Sequence, residues 1–387
     1  MFNILTLNKI AECGTDQLTQ DQFTVSSEAK NPDGILLRSY AMQESDLTPG
    51  LLGIARAGAG VNNIPVDACA GKGIVVFNTP GANANAVKEL VVAGLLLSSR
   101  KIVDGINWAQ GLKGQADVPK LVEKGKGEFV GPEIAGKKLG VLGLGAIGGL
   151  VANIGRSLGM HVIGFDPFLS VDAALGLSRG VRRAESEDAL YADCDYISVH
   201  VPVTAETKKK FNAAFFAKCK KGVRIINFSR AELFDNDDLK AAIADGIVDC
   251  YVTDFPTGDL LGCDKIITIP HLGASTPESE DNCATMAAAE MKNYLLYGNI
   301  KNSVNFADCE LPYIGKTRIC IVHMNVPYVL GSASSLLASK GINIENMLNR
   351  SKGDYAYTLM DIESTDDADA LAKELAALEN VVRVRVI

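Results

Sequence analysis

The sequence predicts an α/β protein of three parts, with a doubly wound parallel sheet in the middle part. The main indication is a series of strand-length apolar segments between residues 138 and 271, separated by stretches of helix length. These segments are apolar throughout rather than at alternate positions. Strands with this pattern are buried on both faces and occur in parallel sheets that helices cover on both sides.

The parts before and after the middle one have patterns of their own. Short β-rich runs alternate with polar segments in the first 80 residues, which predicts a smaller α/β unit. The helix TPESEDNCATMAAAEMKNYLLYGN could return the chain to that unit, and SVNFADCELPYIGK has the composition of a linker. The remaining residues have the order βαββαβ, a ferredoxin-like arrangement. We therefore predict a discontinuous flavodoxin-like domain (1–88 and 279–305), a Rossmann domain (89–278) and a ferredoxin-like domain (315–387).

Composition and charge exclude several classes of protein. The apolar run Leu90–Leu97 is far shorter than the roughly 18 residues of a membrane span, and the N-terminus lacks the pattern of a signal peptide. The net charge of −8 gives no general attraction for nucleic acid. Nine cysteines occur singly, without a CxxC pair, which argues against a disulfide framework and a metal site. A cytoplasmic location is expected.

The sequence GLGAIG contains the glycine pattern of a dinucleotide-binding turn, with Gly143, Gly145 and Gly148. The first glycine permits the turn, the second lets a pyrophosphate approach, and the third lets helix pack on strand. A glycine turn without a ligand is the alternative. The flanking strand and helix, and Asp166 at the end of the next strand, favour the dinucleotide. Asp166 would bind the ribose hydroxyls and repel a 2′-phosphate, so NAD is expected rather than NADP.

Polar residues lie at the predicted carboxyl ends of the following strands, where ligands of such sheets bind. They are His200 with Pro202, Ser229 with Arg230, Asp254, and His271. Each of them could be structural. Together they suit hydride transfer at a 2-hydroxy acid, with His271 as the base and Arg230 gripping a carboxylate. A carboxylate that orients His271 is also needed, and Asp254, Asp259 and Asp264 are the candidates.

The chain resembles the D-isomer-specific 2-hydroxyacid dehydrogenases over essentially its whole length. The stretches ARAGAGVNNI, NTPGANANAVKEL, GKKLGVLGLGAIGG, CKKGVRIINFSRAEL and PHLGAST are similar to that family's signatures and occur in its order. The resemblance implies that the first domain binds substrate, that Arg230 binds its carboxylate and carbonyl, and that His271 is the acid/base. The cofactor contacts expected for NAD are Gly143, Gly145, Ala146, Ile147, Gly148, Asp166, His200, Pro202, Phe228, Ser229, Arg230, Asp254, His271 and Gly273.

The chain departs from the family at the orienting carboxylate. Relatives place a glutamate shortly after an Asp-Val-Phe strand end, whereas this chain reads TDFPTGDLL. Asp259 is the carboxylate in register to within one residue, so the resemblance assigns it the orienting role. Asp254 is then left beside the nicotinamide amide.

Within the family, the resemblance points to the members that oxidise D-3-phosphoglycerate to 3-phosphooxypyruvate, the first step of L-serine synthesis. Arg38, Arg56 and Asn83 are the expected contacts of the substrate phosphate. Lys124 and Lys126 would reach a neighbouring subunit's site, or are surface lysines. Another 2-hydroxyacid dehydrogenase, such as a hydroxypyruvate or glyoxylate reductase, and a non-catalytic NAD-sensing protein of the corepressor kind are the alternatives.

The C-terminal domain resembles an ACT domain, a module that senses small molecules. In serine-sensitive relatives a histidine and two asparagines bind L-serine between paired ACT domains, and here these positions are His323, Asn325 and Asn343. His323 could instead be an ordinary strand residue, and Asn343 could cap a turn. The resemblance implies L-serine as an effector and a homodimer or homotetramer.

Overall fold

The computed structural model describes residues 1–363 and 367–387 and contains two compact units. One unit comprises Met1–Asn83 and Pro277–Ile387, and the other comprises Ala84–Thr276. The predicted functional domains remain predictions, and residues 364–366 of the C-terminal one lie outside the described residues. In the described part of the chain, no helix combines the length and the apolar character that crossing a membrane requires.

The N-terminal part of the first unit is a five-stranded parallel sheet with the order β2-β1-β3-β4-β5. This is the order of flavodoxin-like sheets, as predicted. Because all five strands are parallel, their carboxyl ends share one edge of the sheet. The elements are β1 Phe2–Leu7, α1 Glu12–Thr15, β2 Phe23–Ser26, β3 Gly34–Leu37, a 3₁₀ turn Glu44–Asp46, β4 Gly53–Arg56, α2 Val66–Gly71 and β5 Val75–Phe77.

The second unit contains a seven-stranded parallel sheet with the order β12-β11-β10-β9-β6-β7-β8. The strand order reverses between β6 and β9, and this is the position where doubly wound sheets bind ligands. Its strands are β6 Lys138–Leu142, β7 His161–Phe165, β8 Arg182–Arg183, β9 Tyr196–Val199, β10 Val223–Asn227, β11 Val248–Thr253 and β12 Ile266–Thr268. Its helices are α3 Ala84–Arg100, α4 Ile102–Gly111, α5 Val118–Gly125, α6 Ala146–Ser157, α7 Val171–Leu175, α8 Glu187–Asp193, α9 Ala213–Phe216 and α10 Asn236–Ala244, with 3₁₀ turns at Lys126–Phe129 and Ala231–Leu233.

Two apolar clusters cover the two faces of this sheet. Leu190, Phe211 and Leu239 belong to one cluster, and Val91 and Val151 belong to the other. All four residues of β9 are buried. The continuous apolar strands of the sequence are therefore explained by a sheet that is covered on both sides, and the predicted fold class is confirmed.

The C-terminal part of the first unit is an antiparallel sheet with the order β14-β15-β13-β16, which confirms the predicted βαββαβ sequence of elements. The helices α12 and α13 pack on one face, against Ile319, Ile321 and Met360. The elements are α11 Pro277–Tyr297, β13 Thr317–Met324, α12 Val329–Ser339, β14 Ile344–Lys352, β15 Tyr355–Ile362, α13 Ala368–Ala376 and β16 Val381–Val386.

The other face of this antiparallel sheet is part of the core of the N-terminal sheet. Cys320 and Tyr357 lie in one apolar cluster with Met291 and Tyr294 of α11 and with Phe77 of β5. We call this cluster, which holds Ile4, Phe77, Met291, Tyr294, Phe306, Cys309, Cys320, Val322, Tyr357 and Leu359, the shared core. The terminal segments of the chain therefore fold as one unit.

Arg318 of β13 holds the segment that precedes its own strand. Its side chain is fully buried and pairs with the equally buried Asp361 of β15 at 2.6 Å. The remaining guanidinium donors bond the carbonyl oxygens of Tyr297, Leu311 and Pro312 at 2.9–3.0 Å. The segment with the composition of a linker is thus packed structure rather than a free connection.

Two arginines of β16 attach this strand to the rest of the unit. Arg385 stacks over the ring of Tyr294 and donates to the carbonyl oxygen of Leu295, at the end of α11. Arg383 donates to the carbonyl oxygens of Leu51 and Pro49, in the loop that leads into β4. Carbonyl groups at a helix end accept bonds from cations well, which favours the Arg385 contact, and the two arginines together attach the antiparallel sheet to the rest of the unit.

Candidate active site

The glycine turn follows β6 and opens α6, as the motif requires. Gly143 has a φ of +83°, a value that favours glycine, and a Cβ there would lie 2.6 Å from the carbonyl oxygen of His200. A Cβ on Gly148 would overlap the carbonyl oxygen of Gly143. Gly145 faces open space, and a Cβ on it would have no neighbour within 4 Å. The first and third glycines are therefore required by packing, and the second leaves a free approach to the backbone beside the exposed Ala146 and half-buried Ile147.

Asp166 follows β7 and ties the glycine turn to that strand. One carboxylate oxygen accepts the Leu144 N–H and the other accepts the Phe168 N–H, both at 2.8 Å. These bonds fix the carboxylate beside the turn. Each oxygen has a second lone pair, so the group can still accept bonds from ribose hydroxyls.

His200 lies at the end of β9, against the glycine turn. Its Nε2 is 2.8 Å from the Ser198 hydroxyl, whereas its buried Nδ1 has no hydrogen-bond partner among the described residues. Burial lowers its pKa to about 4, so the imidazole is neutral at pH 7. Pro202 is exposed beyond it. A buried nitrogen without a partner is a place where a bound group can form a hydrogen bond.

The turn after β10 presents Arg230. Its Nη1 donates to the Ser229 carbonyl oxygen at 2.7 Å, and its side chain is exposed. Ser229 in turn donates to the carbonyl oxygen of Val199, and Phe228 is buried below. No salt bridge to Arg230 is found within residues 1–363 and 367–387. The guanidinium therefore keeps most of its donors for a ligand.

Asn227, which the sequence analysis missed, shapes this turn. It is fully buried, and its amide donates to the carbonyl oxygen of Arg230 at 2.9 Å and to the Tyr251 hydroxyl at 3.0 Å. Its side-chain oxygen accepts the Ser229 N–H. A buried asparagine directly before the Ser-Arg pair was the available signal, because such a residue commonly supports a turn.

His271 is placed three residues beyond β12. The sequence suggested that His271 ends a buried strand. In the structure, β12 is instead a half-buried strand at the edge of the sheet, and His271 is exposed. The imidazole contacts the ring of Phe255, with 4.7 Å between ring centroids. It can therefore reach solvent or substrate.

Asp254 lies below the turn that carries His271. Its side chain is fully buried after β11, and one oxygen accepts the Gly273 N–H at 3.0 Å. Burial raises the pKa of its carboxyl, while the Gly273 bond and the charges of His271 and Arg230 act in the opposite direction. Asp254, Arg230 and His271 thus interact electrostatically at one edge of the sheet.

The carboxylate of Asp259 bonds side chains of α10. It accepts from the Asn236 amide at 3.1 and 3.3 Å and pairs with Lys240 of α10 at 3.2 Å. Its pKa is lowered, first by a hydrogen bond from the Thr257 hydroxyl. Among the described residues, no hydrogen bond or ion pair joins it to His271. The orienting role of Asp259 stays a prediction, and these contacts direct its carboxylate towards α10.

The residues predicted to bind phosphate lie at the carboxyl edge of the N-terminal sheet. Arg56 ends β4, and its Nε donates to the carbonyl oxygen of Arg38, which follows β3, at 3.1 Å. Arg38 pairs with Glu280, in the first turn of α11, at 2.6 Å. Asn83 is half-buried. The two arginines are therefore neighbours, and Glu280 is a counterion that the sequence did not reveal.

The three residues predicted to bind L-serine are not together in one chain. His323 is buried in β13, and its two ring nitrogens contact the Met324 carbonyl oxygen at 2.8 Å and the Thr358 hydroxyl at 3.0 Å. The Asn325 amide donates to Gly353. Asn343 precedes β14, at the opposite end of the antiparallel sheet from His323. A site formed by all three would need a second copy of the chain.

The second unit fits a dinucleotide in three respects. The open face of Gly145 would admit a pyrophosphate, the Asp166 carboxylate has free lone pairs for ribose hydroxyls, and the buried Nδ1 of His200 and Oδ1 of Asp254 lack partners among the described residues. The helix α6 adds the positive end of its dipole at the turn.

Two alanine substitutions separate the packing role of these glycines from the binding role. Gly148→Ala is expected to lower the free energy of unfolding by about 1–3 kcal/mol, because the new methyl group overlaps the backbone. Gly145→Ala is expected to leave stability unchanged and to weaken NADH binding, because its methyl group occupies the open approach. Thermal denaturation and fluorescence titration with NADH measure the two effects. Wild-type NADH affinity in Gly145→Ala would contradict the placement of the pyrophosphate.

Comparisons with known proteins agree with this description. Residues 92–273 match the family D-isomer specific 2-hydroxyacid dehydrogenase, NAD binding domain. The D-3-phosphoglycerate dehydrogenase of Haemophilus influenzae is 30% identical over 367 residues, which cover 92% of this chain and 86% of that protein. The Escherichia coli K12 enzyme of the same name is 31% identical over 340 residues, covering 85% and 79%.

Solved structures show the same fold. The NAD⁺-bound 3-phosphoglycerate dehydrogenase of Entamoeba histolytica has a TM-score of 0.61 and 26% identity, and the match covers 78% of this chain and 98% of that one. The D-mandelate dehydrogenase of Rhodotorula graminis has a TM-score of 0.67 at 22% identity, covering 80% and 99%. The similarity to the D-mandelate dehydrogenase concerns the fold alone.

Proposed function

Because the chain belongs to the D-isomer specific 2-hydroxyacid dehydrogenase family, we propose that it oxidises D-3-phosphoglycerate to 3-phosphooxypyruvate, the first step of L-serine synthesis. The observation that carries the choice of substrate is the pair Arg38 and Arg56, joined at the ends of adjacent strands. Two arginine residues at adjacent strand ends, one of which already pairs with the carboxylate of Glu280, suit a phosphate dianion, which an unphosphorylated hydroxy acid lacks.

The second unit supplies the reacting groups. Arg230 would hold the substrate carboxylate and carbonyl with its planar fork, and His271 would accept the hydroxyl proton. NAD, when bound, accepts the hydride. The glycine turn, Asp166 and His200 would hold the cofactor by the contacts described above. Neutral His200 would donate or accept one hydrogen bond without adding charge to the site.

We also propose L-serine as an effector and a homodimer or homotetramer as the assembly. Because His323 and Asn343 lie at opposite ends of the antiparallel sheet in one chain, a second chain would have to complete such a site. A cytoplasmic location suits the nine free cysteines, which a reducing compartment would maintain. Isothermal titration with L-serine, together with the mass in solution, tests both ideas. If no heat of binding is measured at millimolar L-serine, L-serine is not an effector of this protein.

The substrate is tested by the appearance of NADH with 3-phosphoglycerate, compared with glycerate and lactate. Arg56→Ala is expected to raise KM for 3-phosphoglycerate about 10–100-fold, the loss of a hydrogen bond to a charged group, and to change KM for glycerate little. The exposed Arg350 of β14 provides the matched control, and Arg350→Ala should leave both constants unchanged. Equal effects of Arg56→Ala on the two substrates would refute phosphate binding. Activity with glycerate and none with the phosphorylated acid would indicate a hydroxypyruvate or glyoxylate reductase.

A further inference from the structure

The first turn of α11 places a carboxylate on one of the two arginines that the proposed function assigns to the substrate phosphate. Glu280 pairs with Arg38, with 2.6 Å between Oε1 and Nη1. The two side chains are 46% and 38% exposed. An ion pair this exposed to solvent contributes little to the stability of a fold. The pair can therefore open when another anion reaches Arg38.

The backbone of Arg38 is held independently of this pair. Its carbonyl oxygen accepts bonds from the Arg56 Nε at 3.1 Å and from the Asn63 amide at 3.3 Å. The next N–H group, that of Ser39, donates to the side-chain oxygen of Asn8 at 3.0 Å. An exchange of anions at the Arg38 guanidinium thus requires side-chain rotation only, and the end of β3 stays in place.

The carboxylate of Glu280 resembles the phosphate group chemically. Carboxylate and phosphate oxygens both accept the paired N–H donors of a guanidinium group. The position of Glu280 in the first turn of a 21-residue helix favours its negative charge. Because Glu280 and Arg38 belong to one chain, the carboxylate is present at a high effective concentration. A ligand must therefore bind Arg38 better than this internal anion does.

The charge of the incoming group decides whether the pair opens. A phosphate dianion carries more negative charge than the Glu280 carboxylate, so it attracts the Arg38 guanidinium more strongly at the same distance. The hydroxyl group that glycerate has in place of the phosphate is neutral and cannot replace a carboxylate. Arg38 is then available to a phosphorylated substrate and not to an unphosphorylated one.

We propose that Glu280 is a specificity-determining residue, whose carboxylate holds Arg38 in the free protein and releases it to a dianionic phosphate group. The inference rests on the proposed function, which places the substrate phosphate at Arg38 and Arg56. Glu280 competes with the substrate for Arg38. Selection against unphosphorylated hydroxy acids is thereby obtained at the cost of some affinity for the phosphorylated one.

The experiment compares Glu280→Gln with Glu278→Gln in the full chain. Glutamine keeps the size of the side chain and removes its charge. Glu280→Gln should lower KM for 3-phosphoglycerate about 3–10-fold, because Arg38 is no longer occupied, and should change KM for glycerate less than about twofold. Glu278 is an exposed acid of the same helical turn without a salt bridge within residues 1–363 and 367–387, so Glu278→Gln should leave both constants unchanged.

A double-mutant cycle shows whether Glu280 acts through Arg38. In the background of Arg38→Met, Glu280→Gln should no longer lower KM for 3-phosphoglycerate, because no guanidinium remains to be released. A decrease of the same size in that background would mean that Glu280 only repels the substrate, and would overturn the exchange. A higher KM in Glu280→Gln alone would mean that the pair holds Arg38 ready for substrate, and would overturn it as well.

Inorganic phosphate provides a measurement that does not need turnover. Isothermal titration should give a dissociation constant for phosphate that is about 3–10-fold lower in Glu280→Gln than in the wild type. Tighter phosphate binding by this variant, without NADH formation from 3-phosphoglycerate by the wild type, would overturn the proposed function and keep the exchange. Unchanged, weaker or unmeasurable phosphate binding by Glu280→Gln would overturn the exchange.

Discussion

His271→Asn is expected to reduce kcat for the oxidation of 3-phosphoglycerate by about 10²–10⁴-fold, the usual contribution of a general base. Asparagine preserves the size and polarity of an exposed side chain but cannot accept the proton. The side chain is exposed and makes a tilted ring contact with Phe255, so stability should change by less than about 0.5 kcal/mol. Stopped-flow and steady-state formation of NADH measure the effect, and the affinity for NADH should stay within a few-fold of the wild type.

His161 supplies the matched control. It is an exposed histidine on β7 of the same unit, and it belongs to neither the glycine turn nor the strand ends that carry Arg230 and His271. His161→Asn should therefore retain full turnover. If His271→Asn keeps more than a tenth of the wild-type kcat while folding normally, another group must accept the proton.

Arg318→Met is expected to give the largest loss of stability, about 3–5 kcal/mol. The substitution leaves Asp361 charged and fully buried without its partner, and it also leaves the carbonyl oxygens of Leu311 and Pro312 without donors. Urea denaturation followed by circular dichroism measures the loss. Arg318→Met combined with Asp361→Leu should recover part of it, because the unpaired charge is removed while the unsatisfied carbonyl groups remain.

Lys340 and Glu374 form the comparison for this buried pair. They meet at 2.8 Å on the surface of the same antiparallel sheet domain, with both side chains more than a third exposed. Lys340→Met should cost no more than about 1 kcal/mol, because solvent screens exposed pairs. If Lys340→Met and Arg318→Met lowered the free energy of unfolding equally, Arg318 would not hold the segment that precedes β13.

The parallel sheets were predictable because their local signals agree. Continuous apolar strands, a glycine turn between strand and helix, and polar residues at strand ends all describe the same edge of the same sheet. Arg230 and His271 were predicted as site residues in this way, since residues that follow a strand in the sequence also lie near its end in space. The order βαββαβ of the C-terminal part was likewise visible from local patterns.

Contacts between distant segments were not predictable in the same way. Residue spacing places Asp259 near the position of the family glutamate, but spacing does not tell where a loop side chain points, and α10 offers Asn236 and Lys240. The strands β13 and β15 show apolar residues on both faces, yet nothing local tells that Met291 and Tyr294 cover the second face. A pattern of hydrophobic residues reports burial without identifying the partner.

The shared core has a consequence for the order in which the chain folds during synthesis. Residues 84–276 are contiguous, so this unit can fold as soon as it has left the ribosome. The first unit cannot do the same, because β1, among the first residues made, belongs to a core that β13 and β15 complete and that Arg385 of β16 holds against α11. Part of the apolar surface of the N-terminal sheet stays uncovered until residues 317–386 have been synthesised. A nascent chain that lacks these residues therefore exposes apolar surface, which favours aggregation.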